Sequence, residues 1–401
     1  MTISAEALVD RIEKGVSLES LDAGIRIGAT LASAAGSGSK VFPPTYKVEA
    51  KETPYLFEDR FNEHGQAKRT VLLDALQSQA NRVEEALADA VSEGRLQLPV
   101  LRLTGNVEGV SIEITNLSAP HRGPDAYFRD SQLADGTPFD KTEVGMALRN
   151  ADAKNATAYF RYVPTDPLLG FWDSWRTGRG AKVPRCYTSE IFGWDPHDGA
   201  RAAGRTDPNN IMTVGVRYQE SNKGNFQVQE NSTGKAPAGF KDDKPSNIGH
   251  GNIPPVPGTK GGVSISSAER LGFLSFAALH KLRFPSEDGS QSFERNVAAR
   301  TVLACLALAG DRLAFRRPTV LLRSGCELVV VRETLAWLGA AGATDEFELD
   351  TAAALVALQI ARDRAALLGL SWETKNFDVE PQPRLRDLLA ATFTRYVGED
   401  D

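Results

Sequence analysis

Apolar and polar positions recur along this chain with two different rhythms. Between Met1 and Thr115 and again after Gly262 the rhythm is regular. From Asn116 to Gly262 it is broken by Gly, Pro, Asn and charge. Residues 4–14 read as a short helix, and Gly24–Leu31 alternates as a first strand. Ala34–Lys40 is a loop of small residues. In Val71–Glu93, Leu72, Leu73, Leu76, Ala80, Val83, Leu87 and Val91 fall at helical spacing and Gly94 follows, which predicts a helix. Leu98–Leu103 and Val110–Thr115 read as strands, the second alternating Val110, Ile112 and Ile114 against polar residues. Ser267–Phe284 and Phe293–Ala309 read as apolar helices. Thr319–Leu322 and Glu327–Val331 form an expected hairpin around Ser324-Gly325, and Asp350–Leu368 and Leu385–Tyr396 two more helices.

In the broken middle, only Asp125–Leu133, Thr142–Arg149, Leu168–Trp175 and Tyr187–Trp194 stand out as ordered. Glu220–Gly262 reads as loop almost throughout. So long an irregular stretch inside a compact chain usually has a binding use. The order of elements fits an α+β fold with a ferredoxin-like (RNA-recognition) core and a large loop-rich insertion. The expected division is 1–115 for the first part of the core, 116–262 for the insertion, and 263–401 for the rest of the core with a helical C-terminal part.

Composition narrows the function classes. No apolar run reaches membrane-spanning length, and the N-terminus lacks a signal-peptide pattern. Cys186, Cys305 and Cys326 form no CxxC pair, which argues against a disulfide framework or a zinc site and for a reducing cytoplasm. The net charge of −6 is unfavourable for binding nucleic acid, but its placement changes that reading. Asp345–Asp401 holds twelve acids and six bases, so the whole excess lies there. Within Ser174–Arg205, six bases face three acids. Phosphates respond to local potential, so such a stretch is able to bind them.

Four segments carry candidate chemistry. Leu72–Leu87 places Gln77 above Asn81 and Ser78 above Arg82 on a helix; amides there suit ribose and backbone groups, or simply cap neighbouring loops. HRGPDAYFRDS, His121–Ser131, offers His121, Arg122 and Arg129 for phosphates. Its sharper alternative is a nuclease using His121, Asp125 and Asp130 with Mg²⁺, which has too few carboxylates for the usual metal cluster. FWDSWRTGRGAKVPRCYTSEIFGW, Phe171–Trp194, interleaves rings with Arg176, Arg179, Lys182 and Arg185, the mixture single strands favour; Trp172, Trp175 and Trp194 have core as their plainer reading. SNIGHGNIPPVPGTKGG, Ser246–Gly262, has glycines for close backbone approach but no phosphate-loop spacing. No GxSxG or HExxH motif occurs, and the histidines show no ligand spacing.

Together with LSFAALHKLRFP, these segments resemble the RAMP-type backbone subunit of type I-G (formerly I-U) CRISPR Cascade effector complexes. The markers LLDALQSQANRVEEAL, HRGPDAYFRDS, GFWDS with RCYTSEIFGWD, and GHGNIPP with GGVSI come in that family's order over Leu72–Ala309. The resemblance implies a modified RNA-recognition core with palm, fingers and thumb. It implies a cytoplasmic role in antiviral defence, in which copies stack head to tail along crRNA and present it to target DNA. Implied partners are the large subunit, the repeat-handle-binding subunit and a separately recruited helicase–nuclease. Neither catalysis, metal nor cofactor is expected. The alternative is a metal-dependent endoribonuclease of the RAMP superfamily. From residue chemistry, the expected RNA contacts are Gln77, Asn81, Arg82, His121, Arg122, Arg129, Trp175, Arg176, Arg179, Arg185, Tyr187, Ser189, Asn247, His250, Asn252 and Lys260.

Overall fold

The computed structural model describes residues 2–48, 52–173, 181–211, 217–222, 225–229, 235, 237–242, 245–258 and 260–397. Among these, eight strands build the main sheet: β1 (Gly24–Ser33), β2 (Phe57–Phe61), β3 (Ala67–Asp74), β4 (Tyr187–Trp194), β5 (Ser267–Ser275), β6 (Thr319–Arg323), β7 (Cys326–Leu338) and β8 (Thr344–Phe347). Their order is β6–β7–β1–β5–β4–β3–β2, with β8 also paired to β7, and every pairing is antiparallel. Four helices matter here: α1 (Ala5–Gly15), α2 (Leu76–Ser92), α3 (Phe293–Phe315) and α4 (Thr351–Ala366).

The path β1, α2, β4, β5, α3, β7 gives the spatial order β7–β1–β5–β4, the β-α-β-β-α-β arrangement of a ferredoxin-like core. The fold is therefore α+β with an RNA-recognition-like core and insertions. Alternation in β1 sets its facing: Ile25, Ile27, Ala29 and Leu31 are buried, while Arg26 and Thr30 are exposed. Helix α3 starts at the N-cap Ser292, whose hydroxyl accepts the Arg295 N–H at 3.2 Å. It is buried along most of its length because it packs against α1, α2 and α4. At Gly310 a Cβ would lie 2.7 Å from Val83 Cγ1, so the close approach of α3 to α2 needs glycine.

Three expectations differ from what is observed. Val71–Asp74 is the end of β3, not the start of a helix, and α2 begins only at Leu76. A continuous apolar run satisfies both periods, and burial on both faces of the sheet decided it. Ser267–Ser275 is strand β5, followed by one helical turn, Phe276–Leu279. Arg270 faces inward there among apolar neighbours, which disguised the period of two. Glu220–Gly262 is not loop throughout: Arg217–Asn222 pairs with Asn225–Val228, and Ile253–Gly258 with Arg201–Arg205. The 116–262 interval also supplies β4, which pairs with β5 and β3 inside the main sheet.

Candidate nucleic-acid interface

Beneath the helices lies a buried polar network. Asp74 accepts hydrogen bonds from Ser78, Gln79 and Arg82 at 2.7, 2.5 and 2.8 Å. Gln79 accepts the Ser189 hydroxyl at 2.8 Å, and Arg270 donates to Ser189 at 2.9 Å and to the Tyr187 hydroxyl at 2.7 Å. Tyr187 donates to Asp311 at 2.5 Å, and Asp311 is also held by Arg270 and Arg312. Burial alone would raise the Asp311 carboxyl, but the two guanidiniums hold it well below the usual range. Burial pushes the Tyr187 phenol well up, so it stays neutral.

Three of the expected RNA contacts lie inside this network. Tyr187 and Ser189 are 1% exposed and face the core, so neither ring nor hydroxyl reaches a strand at the surface. Arg82 is committed to Asp74 and to the carbonyls of Leu321 and Leu322, at 3.2 and 2.8 Å. Four apart on one helix is the same spacing for Gln77 and Asn81, and these two are exposed.

A second buried cluster absorbs Arg122. Its guanidinium forks onto Glu84 at 2.7 and 2.9 Å and donates to the Gly170 carbonyl at 3.0 Å. Arg122 is 7% exposed, so the fold covers the side chain expected to meet a phosphate. Beside it, Asp166 accepts the Gly123 N–H at 2.7 Å and Asn116 at 3.2 Å. Burial pushes Asp166 and Glu84 each up to about 7, in Glu84 against the pull of Arg122. Arg185 is half-buried, its Nε lacks a hydrogen-bond partner among the described residues, and burial with nearby Arg122 lowers its pKa.

The HRGPDAYFRDS segment caps its own helix. Asp125 accepts the His121 and Tyr127 N–H groups at 2.9 and 3.0 Å. Arg129 forks onto Asp130 at 2.8 Å, which Arg384 also meets at 2.6 Å, so Arg129 is not an unencumbered phosphate ligand. The Arg129 hydrogen bond lowers the Asp130 pKa despite partial burial. Asp125 and Arg129 line a cavity of about 500 Å³ floored by Phe139, Leu148 and Tyr159. Its rim mixes three arginines with three aspartates, so it has no clear preference for anions. The His121 side chain is exposed.

Between β4 and β5 the chain runs out as an arm. His197–Asp198 pairs with Val263–Ser264, and Arg201–Arg205 with Ile253–Gly258. Both strands of the outer ribbon are exposed, with Val256 at 65%. A two-stranded ribbon solvated on both faces is marginal alone, which suits an element that meets a partner. Asn252 bridges turns at 2.6 Å, accepting from Asp207 and donating to Asn210. His250 lies against Phe226 at 5.7 Å, and Asn247, His250 and Lys260 are exposed on the arm. Trp175, Arg176 and Arg179 lie outside the described residues.

The open face of the main sheet is a surface that the sequence analysis does not single out. It presents Arg26 and Thr30 from β1, Leu271 and Phe273 from β5, and Arg332 and Thr334 from β7. Arg26 stands opposite Phe273, and Arg332 opposite Thr30. Neither Arg26 nor Arg332 has an ion-pair partner among the described residues. Between them a groove of about 240 Å³ opens over Gly28, with Glu269 and Glu346 at its edge. The available signal was the alternation of Gly24–Leu31, which already puts Arg26 opposite the apolar set. The helical reading of Ser267–Phe284 hid its partner. No group of three or more His, Cys, Asp or Glu able to hold a metal ion occurs among the described residues, and none of their helices is long and apolar enough to cross a membrane.

No curated protein matches the chain. Residues 25–197, from β1 through β4 and less than half of the 401 residues, match the family model described as CRISPR-associated protein GSU0053 (Cas_GSU0053), a similarity that supports a CRISPR-associated, RAMP-like protein with a role in CRISPR defence.

Proposed function

We propose that this chain is the repeating backbone subunit of a type I-G Cascade complex, which coats crRNA and catalyses nothing itself. The observation that carries the reading is the open sheet face, where Arg26 and Arg332 flank Leu271 and Phe273. Arginines meet phosphates irrespective of sequence, and a flat, partly apolar surface accepts ribose and bases. Sequence specificity then passes to base pairing between guide and target DNA. The exposed arm supports the other half of the reading, contact with further copies in a head-to-tail assembly, a contact that does not close on itself. The large subunit, the repeat-handle-binding subunit and the recruited helicase–nuclease complete the proposed set of partners.

The endoribonuclease alternative draws little support from its candidate residues. Asp125 accepts from two backbone N–H groups and Asp130 pairs with two arginines, so structural contacts already account for both carboxylates.

Co-expression with a CRISPR array and the neighbouring complex subunits, followed by size exclusion and nucleic-acid extraction, tests the proposal. A high-mass species carrying RNA of one discrete length is expected, and R26E/R332E is expected to lose that RNA. A nucleic-acid-free species of subunit mass, with mature guide present in the cell, would sink the reading.

A further inference from the structure

Phe171–Asp173 and Ala181–Val183 form a short hairpin whose two faces differ. Phe171, Ala181 and Val183 are buried, and the Phe171 ring packs on Tyr159 at 4.4 Å. Both legs are anchored: Gly170 accepts from Arg122, and the Cys186 N–H donates to the Leu168 carbonyl at 2.8 Å. Trp172 sits on the opposite face and is 59% exposed. Its cross-strand neighbour is Lys182, also exposed, whose ammonium lies 5.9 Å from the ring centroid. From Phe171 to Arg185 the sequence carries four bases against the single acid Asp173.

An exposed indole on an anchored hairpin keeps its ring available with little further ordering. A neighbouring cation and a basic stretch of sequence favour a ligand that is flat at one end and anionic at the other. We infer that Trp172 and Lys182 form a stacking site for an unpaired nucleotide of single-stranded RNA, with the base on the indole and its phosphate at Lys182. This deepens the guide-binding reading and rests on it. Trp172 thus joins Trp175, a ring of the same segment expected from the sequence to meet RNA. Every base has a face to stack, so the site is indifferent to sequence.

The test is anisotropy of labelled, unstructured oligoribonucleotides, poly-U and mixed sequence, titrated with the full chain freed of nucleic acid. W172A is expected to weaken binding of both by about tenfold, and W172F by much less, because a ring remains. Indole fluorescence quenched by RNA in the wild type is expected to lose that component in W172A. K182E is expected to lower affinity and flatten the salt dependence. Wild-type affinity in W172A would overturn the inference while leaving the guide-binding reading intact. So would unchanged RNA affinity with lost self-association, which would make Trp172 a protein contact, or an effect confined to single-stranded DNA. If the wild type binds no RNA at all, the guide-binding reading falls first.

Discussion

Arg122 and Glu84 meet in the interior as a two-pronged pair, Nε to Oε1 at 2.7 Å and Nη2 to Oε2 at 2.9 Å. The pair ties α2 to the loop that carries HRGPD. The third contact, to the Gly170 carbonyl, ties both to the foot of the Phe171–Val183 hairpin. One side chain thus holds three separate parts of the chain in register, and it does so at a backbone φ of 59°.

Removing that side chain leaves a carboxylate and a carbonyl buried without their donor. Arg122→Ala is expected to cost about 3–5 kcal/mol, the usual penalty for breaking a buried pair. Arg122→Lys is expected to recover little of it, because an ammonium cannot span both oxygens. Urea denaturation of the two variants beside the wild type checks both statements; a loss below about 1 kcal/mol in Arg122→Ala would contradict them.

Asp166 makes stability depend on pH. Its carboxyl rises from an ordinary value of 3.8 to about 7 in the folded chain, so the folded state binds its proton more tightly than the unfolded state. The associated stability is full below 3.8 and is lost as pH rises through about 7. Asp166→Asn keeps an oxygen for the Gly123 N–H but does not titrate. The variant is expected to gain on the wild type between pH 5 and pH 7, by at most about 1.4 kcal/mol per pH unit. Denaturation midpoints across that range measure the difference. Glu84, also raised to about 7, is one of the charges that raises Asp166, so the comparison reads the two carboxyls together.

On the open face, Arg26→Ala and Arg332→Ala are expected to weaken RNA binding for all sequences alike. Each lost phosphate contact should flatten the slope of log affinity against log salt by about 0.7 for a single strand. Binding isotherms at several salt concentrations decide it. A loss that differs between RNA sequences would mean that these arginines read bases.

Gly310→Ala is expected to destabilise the chain by about 1–3 kcal/mol, because its new methyl carbon would sit 2.7 Å from Val83 Cγ1 between α2 and α3. Thermal unfolding of G310A beside G310A/V83A checks the cause: trimming Val83 should return part of the loss.

Local pattern was enough to place the helix at Phe293, the β6–β7 hairpin around Ser324-Gly325, and the Val110–Thr115 strand. Each has its period and its punctuation within one short window, so no distant residue is needed to recognise it. The same holds for the acidic C-terminal excess, which is composition alone.

Which polar side chains face solvent was decided by pairing across the fold. Gln77 and Gln79 are two apart on α2, yet one is exposed and the other bonds Asp74 and Ser189. Tyr187 and Ser189 read as surface chemistry until β4 and β5 bring them, beside Arg270, under α3, where Asp311 and Gln79 satisfy them. Residues 81 apart in sequence make the bond between Ser189 and Arg270, and no local window contains both. A buried polar group is tolerated only where its partner arrives, and that arrival depends on strand register. The open face of the sheet has the same origin: Arg26 and Phe273 become one surface because β1 and β5 pair with those residues opposite and the helices pack on the other side.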